Sequence, residues 1–295
     1  MILVSKFSLL LFVLFSCSST PDKVIEQVDA PWGYVFNDWD GPPIDIITYI
    51  PPDATEKTPL LFVIPGASRD AQRFHASWLD LAKRNHFSVL TIGAKKSFFP
   101  DEYSYNAGGV ISSDGALTNE NSRLFSAIEP IFNDYKERHG FSIKKFYMFG
   151  HSAGGGFVHR YLLFHENAPI IKAVAANPAF VTLADRSIDY PFGLKNTLVS
   201  DRQIRSWVNR DLAIVLGEDD VGPRTKPLSN GAEARAQGPN CLERGKLLFK
   251  DTRMKANELD EDFKWELITV PGVGHDNYNI APFASIYLFG EKEEK

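Results

Sequence analysis

The chain has 295 residues, 44% of them hydrophobic and 23% charged, with a formal net charge of -5. This is the composition of a folded globular chain, long enough for one large α/β domain or two small ones. No basic stripe is present to neutralise phosphates, which excludes a nucleic-acid-binding surface and leaves nucleic acid out as a partner.

The chain opens with "MILVSKFSLLLFVLFSC", in which one early positive charge, Lys6, precedes an apolar run from Phe7 to Phe15 and then Ser16 and Cys17. The run is too short and too sharply ended to span a bilayer, and it predicts an export signal that is removed. Leu14, Phe15, Ser16 and Cys17 resemble a bacterial lipobox. The resemblance implies a signal peptide over 1–16 and a lipid anchor on Cys17, and the absence of Asp after Cys17 implies the outer membrane. A plain secretory signal with a periplasmic or secreted product is the alternative. The polar stretch over 17–24 reads as a flexible tether, and 25–295 as a single domain with no internal repeat. Cys241 is the only other cysteine, so no disulfide is expected within the domain. One cysteine among seven scattered histidines gives no recognisable metal-ligand spacing, and neither a metal nor another cofactor is expected.

Along the domain, short apolar runs alternate with helical patterns. "PLLFVIPG" (59–66) and "FSVLTIG" (87–93) read as strands around a helix over 71–85, where Phe74, Trp78, Leu79, Leu81 and Ala82 recur at helical spacing. A helix is predicted around 119–138, a strand over 145–150, a helix through 155–164 and a strand over 170–177. From 177 to 209 the apolar rhythm breaks down, as in a surface excursion over a ligand face or poorly ordered padding. A strand over 212–217, a long polar helical stretch, a strand over 265–272 and a closing helix over "APFASIYLF" complete the series. Runs such as "LLFVI" and "LAIVL" are apolar at nearly every position, as strands covered on both faces must be. The predicted fold is therefore α/β, a mostly parallel central sheet flanked by helices on both faces.

Ligands of such sheets gather at the carboxyl ends of the strands. There, "FYMFGHSAGGGF" places Ser152 in a Gly-x-Ser-x-Gly pattern where a strand should turn into a helix. At such a turn the serine takes a strained backbone, and Gly150 and Gly154 leave room for the strand and helix to approach. Gly155 and Gly156 should let the helix press against the sheet. An ordinary turn capped by Ser152 is the plainer reading of the motif alone.

A serine hydroxyl needs a histidine to take its proton and a carboxylate to fix that histidine. Downstream, "GEDD" follows one strand and "VPGVGHD" another. His275 is the only histidine after Ser152 in a glycine-flanked loop at a strand end, so it is the candidate base. Asp220 is favoured over Asp219 as the acid. His151 is adjacent to the serine on a turn where neighbouring side chains diverge, which makes it a poor base. His159 and His165 read as surface or satisfied packing groups, and His75, His86 and His139 as exposed. Amide donors for an oxyanion are expected at Ala153, after the serine, and at Ala67 in "IPGASRD". Tyr103, Tyr105, Tyr190 and Phe192 sit in aromatic loops that line a cleft or anchor those loops, and Trp265 is expected beside the histidine loop.

The order of these pieces over about residues 45–290 resembles the α/β-hydrolase superfamily. Within it, "FVIPGASRDAQRF", "GHSAGGGFVHR", "GEDD", "ARAQGPNCLERG" and "VPGVGHD" are similar to exported esterases grouped with poly(3-hydroxyalkanoate) depolymerases and feruloyl or acetylxylan esterases. The resemblance implies a carboxylic-ester hydrolase with Ser152, Asp220 and His275 as its triad and Ala67 and Ala153 as its oxyanion donors, acting on a polyester, a substituted polysaccharide or a small ester. An acyltransferase, a serine peptidase and a surface binding lipoprotein that has lost turnover are the alternatives. Nothing in the sequence fixes the oligomeric state.

Overall fold

A computed structural model describes residues 33–222 and 231–290. The signal peptide over 1–16, Cys17 and the tether over 17–24 lie outside the described residues. The elements run β1 (Gly33–Phe36), β2 (Ile44–Tyr49), β3 (Leu60–Ile64), α1 (Ala71–Asn85), β4 (Ser88–Gly93), α2 (Ile128–His139), β5 (Phe146–His151), α3 (Ala153–Phe164) and β6 (Ile170–Ala176). They continue with α4 (Asp201–Val208), β7 (Leu212–Gly217), α5 (Ala232–Ala236), α6 (Cys241–Glu258), β8 (Glu266–Val270) and α7 (Asn277–Phe289). Among the described residues no helix is long and apolar enough to cross a membrane.

The eight strands form one sheet in the order β1-β2-β4-β3-β5-β6-β7-β8. The pairings β1 with β2 and β2 with β4 are antiparallel, and the rest are parallel. β1 and β2 were not predicted, because Tyr34, Asp45 and Thr48 dilute the apolar signal of these strands at the antiparallel end of the sheet. The period of two along the central strands decides which layer each side chain joins. Leu60, Phe62 and Ile64 face the layer of α2, α3, α4 and α6 with Met148, Ile131, Val158, Trp207 and Leu248. Leu61 and Val63 face the layer of α1 and α7 with Phe149, Trp78, Ile280 and Ala284.

The predicted helix over 119–138 begins as two 3-10 turns, Glu120–Ser122 and Leu124–Ala127, before α2. The stretch over 177–209 is packed rather than padding. Phe180, Val181, Tyr190 and Leu194 are buried, and α4 closes it with a capping box at Ser200 and Gln203. Arg160 on α3 holds it from inside the fold: its fully buried guanidinium donates to Thr182 Oγ1, Asn106 O, Phe180 O and Pro191 O. Trp265 lies at the start of β8, the opposite end from the histidine loop. There it stacks edge-on against Trp207 with centroids 4.8 Å apart and donates its Nε1–H to Trp207 O.

Helical spacing carries His75 onto the buried face of α1 together with Phe74 and Trp78, so it is 4% exposed rather than open to solvent. Its Nδ1 meets Thr91 Oγ1 at 3.0 Å. Burial pushes its pKa down to about 4. His159, between Gly155 O and the Thr182 amide, is held well below the ordinary value by burial and then by Arg160. An unfolded histidine takes its proton near pH 6.5, so below that pH the unfolded chain binds protons that the folded one refuses. Stability from these groups is therefore full above about pH 6.5 and is lost as pH falls toward 4. The urea midpoint of the wild type is expected to fall between pH 7 and pH 5, with a shallower fall in His75→Gln; parallel pH profiles would contradict this origin.

Candidate active site

Strand order reverses between β3 and β5, since β3 is followed by β4 on one side of it while β5 lies on the other. This is the crevice where open α/β sheets hold ligands. Ser152 stands at the carboxyl end of β5 with φ 60° and ψ -117°, a conformation that costs a non-glycine residue on the order of 1–3 kcal/mol. The surrounding backbone holds it there: the Ser152 amide donates to Ala176 O of β6, and its carbonyl accepts from the Gly156 amide. A Cβ on Gly150 would collide with the carbonyl of Gly154, and one on Gly154 with the carbonyl of Ile64. Strand, helix and the neighbouring β3 thus touch backbone to backbone.

The four glycines divide their tasks differently from the sequence expectation. Gly155 is the one that lets α3 lie on the sheet, since its Cβ would stand 2.6 Å from Ala176 O. Gly156 faces the Arg160 guanidinium instead, at 2.7 Å from Nη1.

The loop after β3 runs beside the serine, for a Cβ on Gly66 would lie 3.4 Å from Ser152 Cβ and 3.3 Å from His151 O. Ala67 follows in an exposed turn closed by the Arg69 amide on Gly66 O. Tyr105 donates its hydroxyl to Pro65 O at 2.6 Å, and the Arg69 guanidinium covers the Tyr105 ring at 3.4 Å while donating to Ala94 O and Asp101 O. Ala153 is the first residue of α3, so its amide belongs to the helix turn that has no intrahelical acceptor.

Asp220 and His275 come from the carboxyl ends of β7 and β8. His275 Nδ1 lies 2.7 Å from Asp220 Oδ2, with the Asp220 side chain 2% and the His275 side chain 25% exposed. Asp219 and Glu218 are exposed; the Asp219 amide bonds to Val273 O, and Glu218 takes the Thr269 hydroxyl. His275 is brought beside the serine turn, because the ring of His151, adjacent to Ser152, sits 4.5 Å from the His275 ring. His151 is buried, with its ring packed against that of His275.

Sequence reasoning missed Asn177, read only as the end of a strand. It is fully buried with φ 41°. Its Oδ1 accepts from the Gly217 amide at 2.8 Å, and its Nδ2 donates to Gly274 O at 3.2 Å. One side chain therefore ties the end of the acid's strand to the loop of the histidine. A buried amide directly after an apolar strand, at the expected ligand edge, was the available signal.

The segment "ARAQGPNCLERG" also acquires a role. Gln237 pairs with both backbone groups of Val181, and Arg244 donates to Gly238 O and Ala179 O, so the segment clamps the excursion after β6. Tyr190 anchors the same excursion through Ala107 O. Tyr105 and Tyr190 are thus loop anchors; Phe192 packs on Phe180, and Tyr103 is half-buried.

Gly156→Val is expected to displace the Arg160 guanidinium and to destabilise the fold by about 1–3 kcal/mol, the usual cost of overpacking. Urea unfolding measures this, and an unchanged midpoint would refute the packing role.

No family model matches the sequence, and no curated protein matches it. Solved structures do. Poly(aspartic acid) hydrolase-1 from Sphingomonas sp. KT-1 is 31% identical with a TM-score of 0.84, covering 91% of this chain and 99% of its own. LpqC, a poly(3-hydroxybutyrate) depolymerase from Bordetella parapertussis, is 25% identical with a TM-score of 0.82, covering 89% of each chain. An S-formylglutathione hydrolase from Agrobacterium tumefaciens, 17% identical with a TM-score of 0.55 over 90% of this chain and 97% of its own, shares the fold. With the serine turn, the strand order and these similarities together, the chain belongs to the α/β-hydrolase superfamily, as an enzyme of its esterase and depolymerase type.

Proposed function

We propose that this protein hydrolyses carboxylic esters through a Ser152-His275-Asp220 triad and an acyl-enzyme. The observation that carries the reading is the 2.7 Å contact of His275 Nδ1 with the buried Asp220 carboxylate, beside a serine held at positive φ. An Nδ1–H donated to Asp220 leaves the lone pair on Nε2, the tautomer a general base needs. Nε2 takes the Ser152 proton as Oγ attacks the carbonyl, then returns it to the leaving alcohol. Water, activated by the same nitrogen, releases the acid. The amides of Ala67 and Ala153 receive the oxyanion, and the Tyr105 bond to Pro65 O keeps the Ala67 turn in place before substrate arrives. Neither a metal nor another cofactor takes part.

A fluorophosphonate probe is expected to label the wild type at Ser152 and not Ser152→Ala. Absence of labelling on the folded wild type would favour the binding lipoprotein. Asp220→Asn is expected to lower kcat on the order of 10⁴-fold, and Asp219→Asn to leave most of it. The opposite pattern would move the acid to Asp219.

For the substrate, the reading is an extracellular or periplasmic polyester, with a feruloylated or acetylated polysaccharide or a small ester as the other members of the class; the similarity to the poly(3-hydroxybutyrate) depolymerase supports the polyester. The peptidase-like alternative has a specific support of its own, since poly(aspartic acid) is a polyamide and the hydrolase of that polymer is 31% identical. Arg73, which donates to Asn277 Oδ1 at 2.8 Å just past the histidine loop, puts a cation near the site that suits an acidic chain. Comparing kcat/KM on hydroxybutyrate oligomers and aspartate oligomers decides between them; faster turnover of the aspartate oligomers would replace the ester reading. The location that goes with these polymers is outside the inner membrane, with the chain exported and tethered to the outer membrane through Cys17.

A further inference from the structure

Asp220, Cys241 and His275 converge from three elements that are distant in sequence. A carboxylate oxygen, the thiol sulfur and an imidazole nitrogen all lie within 4.8 Å of one another. Cys241 opens α6, an 18-residue helix capped at Asn240, and is fully buried. The Asp220 side chain is 2% exposed, and the His275 side chain, at 25%, is open to solvent.

We propose that these three side chains form a binding site for a thiophilic divalent cation, zinc as its representative, and that occupancy switches hydrolysis off. The second half rests on His275 being the general base. A carboxylate and a thiolate neutralise the dication, which removes the charge penalty of burying it, and the amino end of α6 favours the thiolate. Tetrahedral zinc holds sulfur at about 2.3 Å and imidazole nitrogen or carboxylate oxygen at about 2.0–2.2 Å, which sets donors roughly 3.3–3.8 Å apart. The trio reaches that geometry by opening the Asp220–His275 contact and drawing Cys241 in, with the fourth position left to water. The thiol proton leaves to solvent. The proton on His275 Nδ1 gives way to the metal and is carried on Nε2 instead. A histidine in that state cannot accept a proton from Ser152, so the metal stops turnover through the tautomer without touching the serine.

The test uses the full-length protein and zinc chloride in a buffer free of chelators. Competition against a chromophoric chelator measures binding, X-ray absorption reads the ligands, and each variant's rate is compared with its own zinc-free rate. One zinc per chain with a single sulfur at about 2.3 Å is expected, together with loss of turnover at the same occupancy. Cys241→Ser, which keeps the buried volume, and Cys241→Ala are both expected to lose the sulfur signal and to weaken binding and inhibition at least about tenfold. No binding, binding without sulfur, full activity of the zinc-loaded enzyme, or unaltered zinc sensitivity in both variants would each overturn the proposal. The binding and absorption arms do not depend on turnover. A zinc–sulfur site in a protein whose Ser152 resists the fluorophosphonate would uphold the metal site and remove the hydrolase reading, whereas labelled Ser152 without zinc binding would do the reverse.

Discussion

The site depends on a place where three backbones touch with no side chain between them. At Gly150 and Gly154 the end of β5, the first turn of α3 and the end of β3 approach so closely that a single added methyl on either glycine would strike a carbonyl. That approach sets Ser152 at positive φ, and the amide bond from Ser152 to Ala176 O of β6 fastens it to the next strand. Because the same contact places the Pro65–Ala67 turn next to Ser152, the serine and that turn are fixed by one constraint. The sheet contributes rigidity, which lets a strained residue persist.

Around this centre, buried cations act as clamps through neutral partners. Arg160 spends its donors on three backbone carbonyls and one hydroxyl from the loops around Asn106, Phe180, Thr182 and Pro191. Arg244 does similar work for Ala179 and Gly238. A guanidinium is suited to this because its planar fork of donors can satisfy several carbonyls at once. The long irregular stretch between β6 and α4 is thereby ordered without a regular ladder of its own.

Much of the architecture was legible in the sequence because the central strands are mostly apolar and the glycine-serine pattern has a steric cause. α1 and β7 match their predicted bounds. What escaped prediction shares one feature: the information lies between segments rather than within them. β1 and β2 declare themselves only by pairing at the sheet edge. The stretch after Asn177 looks patternless until Arg160 and Gln237 reach it from elsewhere. His151 and His275 approach each other across a long sequence separation, and the proximity of Cys241 to Asp220 has no local signature. The candidate serine, acid and histidine were readable because each follows a strand end; the groups that position them were not.

Asn177 uses its amide directionally, accepting from Gly217 at one atom and donating to Gly274 at the other. An aspartate there would turn the donor into an acceptor facing a carbonyl, so spontaneous deamidation would convert the tie between the two loops into a repulsion. The next residue is Pro178. Deamidation proceeds by attack of the following backbone nitrogen on the side-chain amide, and a proline nitrogen carries no hydrogen to lose. The covalent sequence thus closes the succinimide route to an aspartate at this position, the route by which the tie between the two loops would turn into a repulsion.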